Sequence, residues 1–190
     1  MGFLDVITGK RKLEKPAPDR LFAISTAYVT FESSLEITTR GSAAIVFQSL
    51  ATADFTAIVK EMEEVVRATA GDSGTTVDTS EDEYGFSWLV LRGSSFDDLV
   101  VGINAVSGAL EAGGYGERVL CAVFAFQDAR QRLIYWIYNY KRGAFYPFVP
   151  ASGDKQRDNE RELVLKAQVG SELPVESELS RWFPLWGVPI

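Results

Sequence analysis

Few residues in this chain have chemistry to offer. Lys141-Arg142 closes an aromatic run and could grip an anion. Asp97-Asp98 could act as an acid–base pair, and Glu81-Asp82-Glu83 could hold a hard cation through oxygen. Tyr138-Asn139-Tyr140 could stack bases or sugars, and Cys121 is the one thiol. Each has a plainer account. The acidic trio lacks the Asp-x-Asp-x-Asp-Gly pattern of a calcium loop and suits a solvated hairpin tip. Asp97 and Asp98 stand three residues after Ser94 and Ser95, which suits the start of a helix. Lys141-Arg142 suits a charged strand end, the tyrosines suit packing, and a cysteine inside a central strand suits a buried structural role. Gly113-Gly114-Tyr115-Gly116 follows a helical pattern and precedes a strand, the reverse of a phosphate loop, so it reads as a helix cap and turn.

The chain has no histidine. That removes Ser-His and Cys-His nucleophilic sites, His-assisted proton transfer and most zinc sites, leaving carboxylate, lysine or tyrosine chemistry. A net charge of −7 argues against general nucleic-acid binding, which is dominated by Lys and Arg. One cysteine permits no internal disulfide, and with no signal peptide in view a cytoplasmic setting is expected. At 190 residues and 46% hydrophobic, the chain can bury a sizeable core. No apolar run approaches the ~18 residues of a spanning helix.

The elements that must position these groups follow from periodicity. Leu21, Ile24, Tyr28, Phe31 and Leu35 fall at helical spacing, with Asp19 as a cap and an end near Glu36. Ala43 to Gln48 reads as a short buried strand. Thr52 or Asp54 then caps the clearest helix, whose stripe is Phe55, Ile58, Val59, Met62, Val65 and Val66. Thr75–Thr79 and Gly85–Arg92 read as a hairpin. A second helix opens at Ser94 or Ser95 and buries Phe96, Leu99, Val100, Ile103, Val106 and Leu110, with Gly102 and Gly108 permitting close packing on the sheet. Val119–Gln127 and Leu133–Tyr140 are the two strongest strands, Ala144–Val149 adds an edge strand interrupted by Pro147, and helices follow at about 158–168 and 177–182.

This order predicts an α+β fold: an antiparallel sheet with helices mainly on one face, a ferredoxin-like βαββαβ core, appended strands and a helical C-terminal arm. Residues 1–18 form an N-terminal amphipathic and basic segment with its linker, and 19–190 form a single domain. In the late strands Ile134, Trp136, Tyr138 and Tyr140 share one face, while Leu133, Tyr135 and Ile137 share the other. Helices cover only one face, so the second needs a cover or is a binding surface. The last eleven residues, Ser180 to Ile190, carry two of the four tryptophans and are the internal candidate for that cover. The surface expected to meet a partner comprises Trp136, Tyr138, Tyr140, Lys141, Arg142, Arg181, Trp182 and Trp186.

The N-terminal segment has its own reading. Phe3, Leu4 and Ile7 can share a helical face, followed by Lys10, Arg11 and Lys12, which suits an anionic membrane surface. Burying three such side chains contributes about 1.5–3 kcal/mol each. Ordering the segment costs about 1–2 kcal/mol per residue, so contact would be weak and reversible.

The segment Leu173-Pro174-Val175-Glu176-Ser177-Glu178-Leu179-Ser180-Arg181-Trp182-Phe183-Pro184-Leu185-Trp186-Gly187 resembles the signature of the PspA-associated PspAB family. Met1-Gly2-Phe3-Leu4-Asp5, Tyr84 to Val90, Tyr140 to Phe148 and Arg157-Asp158-Asn159 match the same pattern in order and spacing. The resemblance implies an accessory protein of the phage-shock envelope-stress system, whose namesake PspA is a coiled-coil, membrane-associated protein. It carries over no catalytic residue, metal or cofactor. The expectation is a non-enzymatic adaptor or regulator with PspA or another envelope-stress protein as partner, an anionic membrane surface as a further candidate contact, and no nucleic acid. The rival is a small-ligand-binding domain or carboxylate-dependent enzyme in which Lys141 and Arg142 hold an anionic substrate.

Overall fold

A computed structural model describes residues 18–70, 74–153 and 155–190. After a 3-10 turn at Pro18–Phe22 come α1 (Ala23–Leu35), β1 (Thr38–Gln48), α2 (Ala53–Ala70), β2 (Thr76–Glu81), β3 (Phe86–Arg92), α3 (Phe96–Ala112), β4 (Val119–Gln127), β5 (Leu133–Asn139), β6 (Ala144–Phe148) and α4 (Asn159–Val169). The six strands form one sheet in the order β2-β3-β1-β4-β5-β6, and every neighbouring pair is antiparallel. β3 lies between β1 and β2, which α2 connects, and β4 flanks β1 on its other side. The fold is α+β, as expected.

Local chemistry accounts for the element ends. The Thr52 hydroxyl accepts a hydrogen bond from Phe55 N at 3.3 Å, capping α2, and Ser95 does the same for Asp98 N at 3.3 Å at the start of α3. Asp158 caps α4 by accepting from Arg161 N at 2.9 Å. α1 departs from expectation. Asp19 lies inside the 3-10 turn, and Phe22 at the N-cap position makes no side-chain cap. The helix stops at Leu35, where Glu36 turns left-handed (φ 53°), and β1 begins at Thr38, five residues earlier than the apolar run suggested. The β-branched run Ile37-Thr38-Thr39 fits the pleated strand better than a further helical turn. The terminal helix expected near 177–182 is a single 3-10 turn, Leu179–Arg181.

The sheet is buried on both faces. Under the helices lie Ala43, Ile45 and Phe47 of β1, Leu89 and Leu91 of β3, Phe124 and Phe126 of β4, and Ile134, Trp136 and Tyr138 of β5, packed with α1, α2, α3 and α4. Gly102 lets α3 approach β3: a Cβ there would lie 2.4 Å from the Leu91 side chain. Gly108 has open space beside it, so close packing explains only the first of the two glycines. The opposite face presents Val46, Trp88, Val90, Val123, Ala125, Tyr135, Ile137, Tyr146 and Phe148.

Candidate functional site

The second face of the sheet is covered by the chain's own C-terminus. Trp182 is buried on it, and Leu185, Trp186, Val188 and Ile190 pack alongside. The arm starts beside β6: Phe145 N donates to Pro174 O at 2.7 Å, Glu176 N donates to Phe145 O at 2.8 Å, and Val175 forms a parallel bridge with Phe145. This contact occupies the outer edge of β6, which would otherwise stand open. Trp182 then stacks on Tyr146 with centroids 6.4 Å apart, and Trp186 meets Phe148 edge-on at 5.0 Å.

Polar groups fix this course at four places. The Trp182 indole N–H donates to Glu176 O at 3.0 Å. Arg157 donates to Trp182 O at 2.7 Å. Arg92 donates to Pro189 O at 2.8 Å, and the Tyr135 hydroxyl donates to Ile190 O at 3.0 Å. Lys166 of α4 lies 5.6 Å from the Trp182 ring centroid, a cation–π contact.

Two buried carboxylates organise these groups. Glu162 accepts Arg157 Nη2 at 2.7 Å, Arg157 Nε at 3.0 Å and the Val149 backbone N–H at 2.9 Å. Burial pushes its carboxyl upward even though Arg157 and Val149 favour the charge. Arg157 also lies 5.4 Å over the Phe148 ring, so one guanidinium joins α4, β6 and the arm. Glu176 accepts Arg142 Nε at 3.0 Å and Glu178 N at 3.1 Å, with Arg181 at 3.8 Å. Burial raises its carboxyl, but these donors and charges outweigh burial and hold it below the ordinary value.

Four of the eight side chains expected to meet a partner lie inside. Trp136, Tyr138, Tyr140 and Trp182 are all at most 5% exposed. The first three belong to the core beneath the helices, where Trp136 stacks on Phe31 at 5.6 Å, so this part of the expected partner surface is corrected to packing. Trp186 and Arg181 are half-buried in the arm. Arg142 is paired with Glu176 while Lys141 is exposed beside it, so the two do not form a ready anion grip. Phe3, Leu4, Ile7, Lys10, Arg11 and Lys12 lie outside the described residues.

The remaining candidates resolve into structure. Asp82 accepts from Tyr84 N, Phe86 N and the Trp88 indole N–H, each at 2.9 Å, and so shapes the β2–β3 turn. Asp128 does the same for the β4–β5 turn through Arg130 N, Arg132 N and Arg132 Nε. Asp97, Asp98, Glu81 and Glu83 are exposed. Among the described residues no cluster of three or more metal-ligating side chains forms. Burial raises the Cys121 thiol to about 12.

Glu162, Tyr135 and Arg92 did not stand out as site residues in the sequence. One signal was available: Glu162, Leu165 and Val169 share the buried side of α4, so a carboxylate occupies an apolar position of that stripe.

Together these features define a class: an α+β domain whose sheet is closed on one face by helices and on the other by its own C-terminal arm. The chain belongs to the PspAB family, described as PspA associated protein B, whose family model matches residues 1–190. No curated protein and no solved structure gave a match. Among the described residues no helix is long and apolar enough to cross a membrane.

Proposed function

We propose that this chain is a non-enzymatic accessory of the PspA envelope-stress response, acting in the cytoplasm by direct contact with PspA. The whole-chain family assignment carries this reading. The geometry supports it in a second way. The best-positioned charges, Arg157, Glu162 and Glu176, are engaged in holding the arm, a structural use of groups that could otherwise serve chemistry.

The contact surface in this reading is the outer side of the docked arm with the adjoining side of α4. Leu179 and Phe183 flank the buried Trp182 and are 50% and 58% exposed. Leu163 is exposed one turn before Lys166, which reaches Trp182 and Ser177. Such exposed apolar groups beside paired charges resemble the centre and rim of a protein interface. Phe3, Leu4 and Ile7 with the following basic residues add a weak membrane contact close to where PspA works.

Co-purification of the two proteins from stressed cells, followed by crosslinking, tests this reading. PspA is expected to be recovered with the chain and crosslinked to the arm or α4. Absence of PspA from the purified material at micromolar concentrations overturns it.

A further inference from the structure

The sheet has two edges, and the arm closes only one. It bridges to β6, whereas β2 pairs with β3 alone. The register fixes which backbone groups β2 turns outward. Asp82 N donates to Phe86 O at 3.0 Å, which makes these two a bonded pair. Bonded pairs recur at every second residue, at Ser80–Trp88, Asp78–Val90 and Thr76–Arg92. Val77, Thr79 and Glu81 therefore direct their N–H and C=O groups away from β3. Among the described residues no backbone group bonds to them there.

The side chains of the same three residues face the helices. Val77 is buried in that core, but Thr79 and Glu81 are exposed. Beside them lies a cavity of about 290 Å³, between the first turns of α2 and the ends of β1 and β3. Its apolar walls are Phe47, Leu50, Phe55 and Val59. It lies just under the range of about 300–1,000 Å³ usual for whole small ligands, a size that suits one large side chain.

The charge at this edge has one sign. From Asp78 to Glu83 the chain carries four acidic residues and no basic one. Asp78 pairs with Arg92, and Asp82 is taken up by the turn. Glu81 is the one charged residue lining the cavity, and it makes no ion pair among the described residues. On α2, Arg67 pairs with Glu63, and Lys60 is exposed outside the cavity. A second copy of β2 suits this edge poorly, because antiparallel pairing sets acidic side chains against acidic ones. A basic strand is the complementary match.

We propose that the outer edge of β2 takes up an extended segment of a protein partner as a seventh strand, with an apolar side chain entering the cavity beside Thr79 and a lysine or arginine two residues away meeting Glu81. Backbone hydrogen bonds to Val77, Thr79 and Glu81 hold the segment, and alternate side chains select it. This edge lies across the whole sheet from the arm, so it is a second contact surface, separate from the one at the arm and α4.

The probe is the peptide acetyl-TKTLTKT-amide, which presents lysine, leucine and lysine on one side in either strand direction. Titration against the full chain, followed by amide hydrogen exchange at saturation, tests the proposal. Saturable binding is expected, with exchange at Val77, Thr79 and Glu81 slowed at least tenfold. The peptide TETLTET should bind at least tenfold more weakly, and so should TKTSTKT, which has nothing to fill the cavity. Thr79→Pro removes only an outward N–H, a place where an edge strand tolerates proline, and should abolish binding. Glu81→Lys changes an exposed side chain and should reverse the preference between the lysine and glutamate peptides. No saturation, binding without slowed exchange at these amides, or an unchanged preference in Glu81→Lys overturns the proposal. Slowed exchange that instead follows protein concentration without peptide assigns the edge to a second copy and also overturns it.

Discussion

Arg157 holds Glu162 in a fork, with Nη2 at 2.7 Å and Nε at 3.0 Å from the carboxylate, while its remaining nitrogen reaches the Trp182 carbonyl. Glu162 is about 2% exposed as a side chain and Arg157 18%, so the carboxylate has almost no water to fall back on. Removing one partner strands the other in a low-dielectric site. Arg157→Met is expected to lower the unfolding free energy by about 3–5 kcal/mol. Arg157→Met/Glu162→Gln should lose less, because glutamine keeps an acceptor for the Val149 N–H and leaves no buried charge. Urea unfolding of both variants checks this. Equal losses in the single and double variants would mean that the stranded charge is not the cause.

Acid should loosen the β2–β3 turn. Burial pushes Asp82 up, but hydrogen bonds from the Trp88 indole and the backbone of Phe86, Tyr84 and Gly85 hold it below its ordinary 3.8. A carboxyl lowered in the folded state contributes stability that is complete above its unfolded pKa and lost as pH falls through the folded value. Asp128 and Glu176 act with the same sign. Glu162, raised by burial, acts with the opposite sign and recovers some stability on acidification. The net expectation is a steep loss below pH 3.8, less steep in Asp82→Asn. Urea midpoints across a pH series, read by tryptophan fluorescence, provide the check. An unchanged acid slope in Asp82→Asn would contradict the assignment.

The arm is held by few bonds over a large apolar seat. Deleting residues 183–190 takes Leu185, Trp186, Val188 and Ile190 off Val90, Val123, Ile137 and Phe148 and removes the acceptors used by Arg92 and Tyr135. The uncovered face is expected to bind the dye ANS and to drive self-association, as an exposed apolar sheet does. Light scattering and ANS fluorescence measure both effects. A truncated chain that stays monomeric and binds no dye would show that the seat closes without the arm.

Cys121 should be inert in the native protein. Its thiol is raised to about 12 by burial, so almost no thiolate exists near neutral pH. Labelling by a disulfide reagent should be slow in buffer and complete in urea, with a native rate that follows global unfolding. Rapid native labelling would mean that β4 opens locally.

Much of this architecture is legible in the sequence, and what is not has physical causes. α2 stands out because Phe55, Val59, Met62 and Val66 keep helical spacing between charged neighbours. The need for a second cover follows from β5, where Trp136 and Tyr135 are both apolar yet point to opposite faces. The start of β1 was hidden because Thr38-Thr39-Arg40-Gly41 is polar; its place in the sheet comes from pairing with Gln127 and Phe126, far along the chain. The depth of Tyr138 and Tyr140 is only partly legible: packing suits the run, yet a tyrosine can also stand at a surface, and the assembled core is what takes both inside. Arg157 and Glu162 are five residues apart, but their shared task depends on Trp182, which no local pattern connects to them.

The direct affinity of the purified chain for PspA tests the central claim most closely, measured beside the double variant Leu179→Glu/Phe183→Glu. Both substitutions lie on exposed side chains of the docked arm and leave its buried tryptophan in place. The account predicts micromolar or tighter binding by the natural chain and at least tenfold weaker binding by the variant. Failure of the natural chain to bind PspA, or equal binding by the two, would contradict it.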